Sequence, residues 1–139
     1  MPGRPEIDLV RPMSLAPDVP CAYAAVPRGR SLYVFTAGAC PIDGSGATVA
    51  PGDLIAQSVQ VMDNLSEALR AAGAELGDVV KTTVYVASAA REDLVAVWQV
   101  VRDRFRDHDP PSTLVGVSVL GYPGQLVEVE AVAALPSLA

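Results

Sequence analysis

The sequence predicts a single α/β domain of the α+β type, in which a mixed sheet carries two helices on one face. Three observations lead to this prediction. The chain has 139 residues, which is close to the usual size of one domain. Half of its residues are apolar, which is enough to build a core. Runs with the period of a strand alternate with runs with the period of a helix along its second half.

Charge and composition exclude several classes of function. Ten basic and sixteen acidic side chains leave a net charge of −6, which repels phosphate backbones and predicts no nucleic-acid partner. Two cysteines are too few for a disulfide framework, so we expect a reducing compartment. The longest uncharged stretch, 110–127, contains prolines and glycines that would break a membrane helix. We therefore expect a soluble cytoplasmic protein without a membrane partner.

The first third of the chain is predicted to hold a leader and short strands. Residues 1–20 are rich in proline and lack a periodic pattern, so we expect a surface leader followed by one domain over 21–139. Two β-favouring runs, 22–26 and 31–37, flank a turn that contains proline and glycine, which predicts a hairpin. A short third strand is predicted near 47–50.

Two helices are predicted from apolar spacing and caps. Asp53 can cap the first helix and Gly73 can end it. Its apolar residues recur at steps of three and four: Ile55, Val59, Met62, Leu65 and Leu69. Ser88 can cap the second helix. The apolar stripe of that helix consists of Leu94, Val97, Trp98, Val101 and Phe105.

Three longer strands are predicted over 78–86, 113–120 and 126–134, where β-branched residues are frequent. Helical crossovers between successive strands would be right-handed and would place both helices on one face of the sheet. The last strand alternates, so that Glu128, Glu130 and Val132 share one face and the other carries Val127, Val129, Ala131 and Ala133. The uncovered face is therefore both apolar and polar, and we expect it to associate with other copies of the chain.

Candidate catalytic groups are few. His108 is the only histidine, and its acidic neighbours point in different directions, so no metal site or catalytic triad is predicted. Cys40 has no neighbouring cation or helix N-terminus, which favours a structural thiol. Glu128 and Glu130 lie roughly 7 Å apart by strand rise. Either the two carboxylates lie on a solvated strand face, or a neighbouring subunit covers that face. In the second case a partly desolvated carboxylate has a raised pKa and can exchange protons with water.

Several motifs occur in an order that resembles one family. They are Gly38 after a Val-Phe-Thr-Ala strand, Asp53 with Gln57 and Asn64-Leu65, Ala72-Gly73, the strand 78–86 and the strand 127–133. The chain resembles the RidA (YjgF) family of reactive-intermediate deaminases, once labelled L-PSP endoribonucleases, over residues 23–134. The resemblance implies a chorismate-mutase-like fold and a homotrimer whose sheets face inward. It also implies small-molecule sites in the clefts between subunits and no metal ion or organic cofactor.

The resemblance assigns a role to Glu128, which stands at the position of the glutamate that activates water to hydrolyse a C=N bond. The substrate-binding positions fall on five residues: Tyr23, Gly38, Trp98, Ser112 and Leu114. A shift of one or two residues would replace Tyr23 by Cys21 or Ala22. Trp98 stands where the family commonly has asparagine, and Leu114 stands where it has cysteine.

The largest departure is Ser112, which occupies the position of the family's carboxylate-binding arginine. A serine offers one neutral hydrogen bond, whereas an arginine offers two charge-assisted ones. We therefore expect a hydrolase of small, uncharged or apolar imines or enamines, unless a neighbouring subunit supplies Arg30 or Arg91. The alternative is a non-catalytic homotrimer that binds a small molecule. RNA cleavage, suggested by the older family label, conflicts with the acidic charge.

Overall fold

The computed structural model describes residues 7–29 and 31–136. In this part of the chain, six strands and two helices are present, in the following order: β1 Ile7–Val10, β2 Ala24–Pro27, β3 Ser31–Phe35, α1 Leu54–Ala71, β4 Val79–Val86, α2 Arg91–Phe105, β5 Ser112–Gly116 and β6 Val127–Pro136. A 3-10 turn, Leu76–Asp78, precedes β4. None of the described helices is both long and apolar enough to cross a membrane.

The main sheet has four strands in the order β3-β6-β4-β5. Strand β6 runs antiparallel to both of its neighbours, whereas β5 runs parallel to β4. A parallel pair needs a crossover, and α2 provides it. Both helices pack on one face of the sheet, over a core of valine, leucine, alanine and methionine side chains. The predicted mixed sheet with two helices on one face is confirmed.

The predicted hairpin is wrong. Strand β2 pairs with β1, where Ile7 lies opposite Pro27 and Val10 opposite Ala24. Strand β3 pairs with β6 instead. Strand propensity identifies extended segments but does not identify their partners, which are chosen by packing. Strand β1 lies inside the predicted leader, and the division of the chain at residue 20 stays a prediction.

The predicted short strand near 47–50 is also absent from the described residues. A single bridge joins Ile42 to Thr48 there, and turns follow. The backbone of Ala50 has φ +41°, a left-handed conformation that no strand residue adopts. Strand β5 likewise ends at Gly116, earlier than predicted.

Helix α1 begins where the sequence predicts, because the Asp53 carboxylate accepts a hydrogen bond from the Ala56 amide at 2.9 Å. Met62, Leu65 and Leu69 are buried as predicted. Two members of the predicted stripe are exposed instead, Ile55 at 48% and Val59 at 42%. The polar residues Gln57 and Ser58 are buried in the first turns of the helix.

Helix α2 begins at Arg91, two residues later than a cap at Ser88 would place it. The Ser88 hydroxyl accepts from the Ala90 amide at 3.0 Å and donates to the Asp93 carboxylate at 2.7 Å. Ser88 therefore fixes the loop before the helix. Ala90 is the residue at the helix boundary itself.

The second face of the sheet is not covered by a helix. The strand register places Phe35 opposite Val132 at one end of this face, and Tyr85 opposite Glu128 towards the other. Glu130 lies between them on β6. Phe35 is 76% exposed, whereas Glu128 and Glu130 are half-buried. The mixed apolar and polar face that the strand pattern predicts is present.

Candidate functional site

Glu128 is held by two hydrogen-bond donors from outside its own strand. The Cys40 thiol lies 3.0 Å from Glu128 Oε1, and the Gln125 amide Nε2 donates to the same oxygen at 3.2 Å. Among the described residues, no hydrogen bond to Glu128 Oε2 is found. One oxygen of the carboxylate is therefore engaged by the protein, and the other remains available.

Gly38 lies directly under the carboxylate. A Cβ at this position would meet Glu128 Oε2, and would stand 2.6 Å from Cδ and 2.8 Å from Cγ of the same side chain. These distances are shorter than carbon–carbon contact allows. The absence of a side chain at Gly38 thus lets Glu128 lie across the backbone, and the structure brings these two predicted residues together.

The segment that carries Gly38 and Cys40 is attached to β6 and to α1. Ala39 exchanges two backbone hydrogen bonds with Val129, at 2.7 and 3.2 Å, and this places Cys40 beside Glu128. Asn64 of α1 donates from Nδ2 to the carbonyls of Cys40 at 2.8 Å and Ile42 at 2.9 Å. Asn64, which the family resemblance singled out without a role, therefore fixes one side of the site.

The other side of the site is fixed by Gln57, which is fully buried. Its Nε2 donates to the carbonyls of Val49 at 3.2 Å, Ala50 at 3.2 Å and Gly124 at 2.9 Å. Its Oε1 accepts from the Leu126 amide at 2.8 Å. These bonds hold the backbone on both sides of Gln125, so that helix α1 positions both donors that contact Glu128.

Burial and the neighbouring carboxylate raise the pKa of the Cys40 thiol from 9.0 to about 11. Desolvation is the largest cause, followed by the hydrogen bond to Glu128 and then by the charge of Glu128. The hydrogen bond with Gln125 acts in the opposite direction. At neutral pH the side chain is therefore a protonated donor rather than a thiolate nucleophile.

Glu130 differs from Glu128 although both lie on the same face. The Tyr85 hydroxyl donates to Glu130 Oε1 at 2.7 Å. This hydrogen bond, with smaller contributions from burial and charge, raises the pKa of Tyr85 above its usual value. Glu130 is thus paired with a phenol, whereas Glu128 is paired with a thiol and an amide.

Ser112 and Leu114 lie on the other side of the sheet. They pair with Thr82 and Val84 of β4, whose side chains are buried beneath the helices. The Ser112 hydroxyl lies 2.5 Å from Thr82 Oγ1 and donates to the Pro110 carbonyl at 3.0 Å. Leu114 packs against the core. Within one chain, these two predicted residues are separated from Glu128 by the sheet.

Trp98 and Ser112 line a small hollow between α2 and the start of β5, together with Pro20, Cys21, Arg102, Phe105, His108, Asp109 and Pro110. Arg102, an exposed residue of α2, lines this hollow together with Ser112, and it was not singled out from the sequence. Its position four residues after Trp98 on the same helix indicates that the two side chains share one helix face. Arg91 is exposed at the start of α2, and Arg30 lies outside the described residues.

Tyr23 lies in a third region, beside β1 and the segment that follows it. Its hydroxyl donates to the Ala16 carbonyl at 2.8 Å, and its amide donates to the Val10 carbonyl at 3.0 Å. The ring is 39% exposed. The six predicted site residues therefore occupy separate regions of one chain: Gly38 lies against Glu128, Trp98 and Ser112 line a second region, and Tyr23 lies apart from both.

A cleft of about 410 Å³ opens beside the segment that carries Gly38 and Cys40. Asn64 and Tyr122 line it from α1 and from the loop before β6. Small-molecule sites commonly have this size. In the parts of the chain that the structure describes, no group of three histidine, cysteine, aspartate or glutamate side chains converges as metal ligands would.

Comparisons with known proteins agree with this fold. The family model described as endoribonuclease L-PSP matches residues 13–135. A RutC family protein from Pyrococcus horikoshii is 36% identical over 101 residues, which cover 73% of this chain and 78% of that protein. A 2-iminobutanoate/2-iminopropanoate deaminase from Escherichia coli is 31% identical over 121 residues, which cover 84% of this chain and 91% of that protein.

A crystal structure of the Rid-family protein YyfB from Yersinia pestis superimposes with a TM-score of 0.84 at 33% sequence identity. The superposition covers 93% of this chain and 98% of the other. The match spans both helices and the main sheet. The chain therefore belongs to the RidA (YjgF) family, whose model carries the description endoribonuclease L-PSP.

Proposed function

We propose that the chain is a deaminase that hydrolyses the C=N bond of small, uncharged or apolar imines or enamines. The observation that carries this proposal is the Glu128 carboxylate, held by Cys40 and Gln125 above Gly38 with Oε2 available. The deaminase activity named for the Escherichia coli relative supports the reaction class. The proposed reaction needs only one charged side chain, that of Glu128.

In this mechanism Glu128 acts as a general base and then as a general acid. It accepts a proton from water as the water oxygen adds to the imine carbon, and it returns the proton to the nitrogen. Glu128 then transfers the proton of the new hydroxyl group to the same nitrogen, the C–N bond of the tetrahedral intermediate breaks, and a carbonyl compound and ammonia leave. Each step uses water and one carboxylate, and the proposal assigns no metal ion or organic cofactor.

The substrate class follows from Ser112. Its hydroxyl already bonds to Thr82 and to the Pro110 carbonyl, so it offers little to a substrate carboxylate. Trp98 and Leu114 add apolar surface near it. Without the family's arginine at position 112, an anion bound there would depend for charge-assisted hydrogen bonds on Arg102, which lines the same hollow but is exposed to solvent.

A panel of imines tests the proposal. Neutral imines generated in place by an amine oxidase, and 2-imino acids generated by an amino acid oxidase, are compared by the rate of ammonia release. We expect a larger acceleration of the neutral imines. Faster release from 2-imino acids that disappears in Arg102→Met would show carboxylate binding and would overturn the substrate class. Ligand-induced thermal stabilisation without any turnover would favour the non-catalytic binding homotrimer instead.

We also propose a homotrimer that buries the uncovered sheet face and places ligands in the clefts between subunits. Two observations support assembly. The apolar end of that face is exposed at Tyr33 and Phe35. The predicted site residues lie on both sides of one sheet, and a second copy could complete the Glu128 site with its own Trp98 and Ser112.

Sedimentation equilibrium tests the assembly. We expect three times the mass of the chain for the wild type and a dissociated protein for Phe35→Asp, because a charge would be buried without a partner. Ile55→Asp is the matched control, since Ile55 is an exposed apolar residue on the helix layer. A monomeric wild type, or equal dissociation in both variants, would contradict the trimer.

A further inference from the structure

We propose that Cys40 and Gln125 are positioning residues that hold the Glu128 carboxylate in one orientation, with Oε1 fixed and Oε2 directed to the reacting water. This inference rests on the proposed role of Glu128 in hydrolysis. It adds two residues that act through Glu128 rather than on the substrate. Neither residue belongs to the site positions that the family resemblance implies.

Both donors reach the same oxygen. The thiol of Cys40 and the amide of Gln125 lie 3.0 and 3.2 Å from Glu128 Oε1. A carboxylate oxygen has two lone-pair sites, and these two donors occupy both. The two oxygens are chemically equivalent, so a half turn restores the same arrangement, whereas any intermediate rotation breaks both hydrogen bonds. Oε2 therefore keeps its place beside Gly38, where its lone pairs remain free for water.

Gln125 is itself rigid. It is 4% exposed, its Oε1 accepts from the Tyr122 amide at 3.0 Å, and its Nε2 also donates to the Val127 carbonyl at 3.1 Å. Because Oε1 and Nε2 of Gln125 are both hydrogen-bonded, it is Nε2 that faces Glu128. Its backbone amide closes a turn by donating to the Tyr122 carbonyl. The donor that reaches Glu128 has little freedom of its own.

Cys40 is rigid for a different reason. Its carbonyl is held by Asn64, and the residue before it is paired with Val129 of β6. The thiol has one proton and two acceptors within reach, Glu128 Oε1 and the Gly38 carbonyl at 3.5 Å, of which the carboxylate is the nearer and is charged. Hydrogen bonds to charged acceptors are the stronger kind. The thiol therefore donates to the carboxylate.

Holding a catalytic group in one geometry contributes to rate by removing unproductive orientations. Loosening the carboxylate leaves the groups that bind the substrate unchanged, so the effect is expected on kcat rather than on KM. This separation distinguishes a positioning role from a binding role. The thermal midpoint distinguishes a positioning role from a general loss of structure, which would lower both the fraction of active enzyme and the thermal midpoint.

Kinetics of three variants test the inference. We expect kcat for the best imine of the panel to fall roughly tenfold in Cys40→Ala and in Gln125→Met, with KM within about twofold. Cys40→Ser keeps a hydroxyl donor and is expected to retain kcat within about threefold. Equal losses in Cys40→Ser and Cys40→Ala, or an unchanged kcat in Cys40→Ala, would overturn the inference.

Thiol alkylation provides a second measurement that needs no substrate. Iodoacetamide reacts with the thiolate, so its rate at pH 9 reports how far the carboxylate keeps Cys40 protonated. Among the described residues, the charged or titratable groups on the uncovered sheet face beside Cys40 are Tyr33, Lys81, Tyr85, Glu128 and Glu130. In Glu128→Gln, the hydrogen bond and charge that raise the Cys40 pKa are weakened, so alkylation of Cys40 is expected to become severalfold faster.

Mass spectrometry of the alkylated peptides separates Cys40 from Cys21, which serves as an internal control in the same chain. Cys21 lies near the Ser112 carbonyl, and its rate is expected to be equal in both proteins. An unchanged Cys40 rate in Glu128→Gln would overturn the positioning contact. A wild type that releases no ammonia from any imine would overturn the proposed function instead, so the two failures are distinguishable.

Discussion

Glu128→Gln is expected to lower kcat/KM for imine hydrolysis about 10³-fold, within the range of about 10² to 10⁴ that a general acid–base group contributes. The amide has nearly the same shape as the carboxylate. Its oxygen can still accept from Cys40, so the change removes proton transfer more than structure. The measurement is ammonia release under initial-rate conditions, with circular dichroism to verify the fold of the variant.

Glu130→Gln is the matched control for this variant. Glu130 lies two residues further along the same strand face, but its carboxylate is engaged by the Tyr85 hydroxyl. We expect its kcat/KM within about threefold of the wild type, since the glutamine oxygen can still accept the hydrogen bond from Tyr85 and the change leaves Glu128 and its two donors intact. Equal losses in both variants would assign the effect to the charge of the face. A fully active Glu128→Gln would remove Glu128 from the mechanism.

Gln57→Leu is expected to destabilise the protein by about 4 kcal/mol, because buried groups left unsatisfied cost about 1–3 kcal/mol each and several are affected at once. The side chain is fully buried and bonds to four backbone groups in two separate loops. Leucine has a similar volume but no donor or acceptor. For a domain of this size, the thermal midpoint would fall by roughly 15 °C.

Gln99→Leu is the corresponding control, since Gln99 is exposed on α2 and the chemical change is the same. Its effect is expected within about 0.5 kcal/mol. Urea denaturation of both variants gives the free energies of unfolding, and an unchanged slope shows that the native state remains compact. A loss below about 1 kcal/mol in Gln57→Leu would mean that the loops find other partners, contrary to the structure.

Helix α1 shows how far the sequence predicts the fold. Its cap at Asp53 and its core residues Met62 and Leu65 follow from local rules and were found as predicted. Apolar spacing also favoured burial of Ile55 and Val59, which are exposed. A prediction of buried residues from apolar spacing assumes that a helix buries only apolar residues. At its start, α1 buries Gln57, because two loops need hydrogen-bond partners there.

The candidate site was predicted only in part. Glu128 stands out on the last strand because carboxylates there alternate with apolar residues. Cys40 and Gln125 could not be assigned to it, since the contact between Cys40 and Glu128 depends on the pairing of Ala39 with Val129 across a long stretch of chain. Strand register is set by tertiary packing, and a local pattern does not carry it.

Ser112 illustrates a different limit. The sequence shows that serine replaces arginine, and the expected loss of carboxylate binding follows from chemistry alone. It does not show that the hydroxyl is already bonded to Thr82, or that Arg102 of α2 lines the same hollow. The first fact depends on the pairing of β5 with β4, and the second depends on how α2 lies over the sheet.

The hydrogen bonds from α1 to the two loops beside Glu128 have a consequence for the evolution of substrate range. Gln57 and Asn64 bind the loops that flank Glu128 through carbonyl and amide groups, which nearly every amino acid possesses. Loop side chains can therefore be exchanged by mutation while the backbone path is maintained. Loops around a constant framework are where proteins of one fold acquire new specificities. The side-chain amides of Gln57 and Asn64 would thus hold the backbone around Glu128 in place while the side chains of the cleft walls diversify.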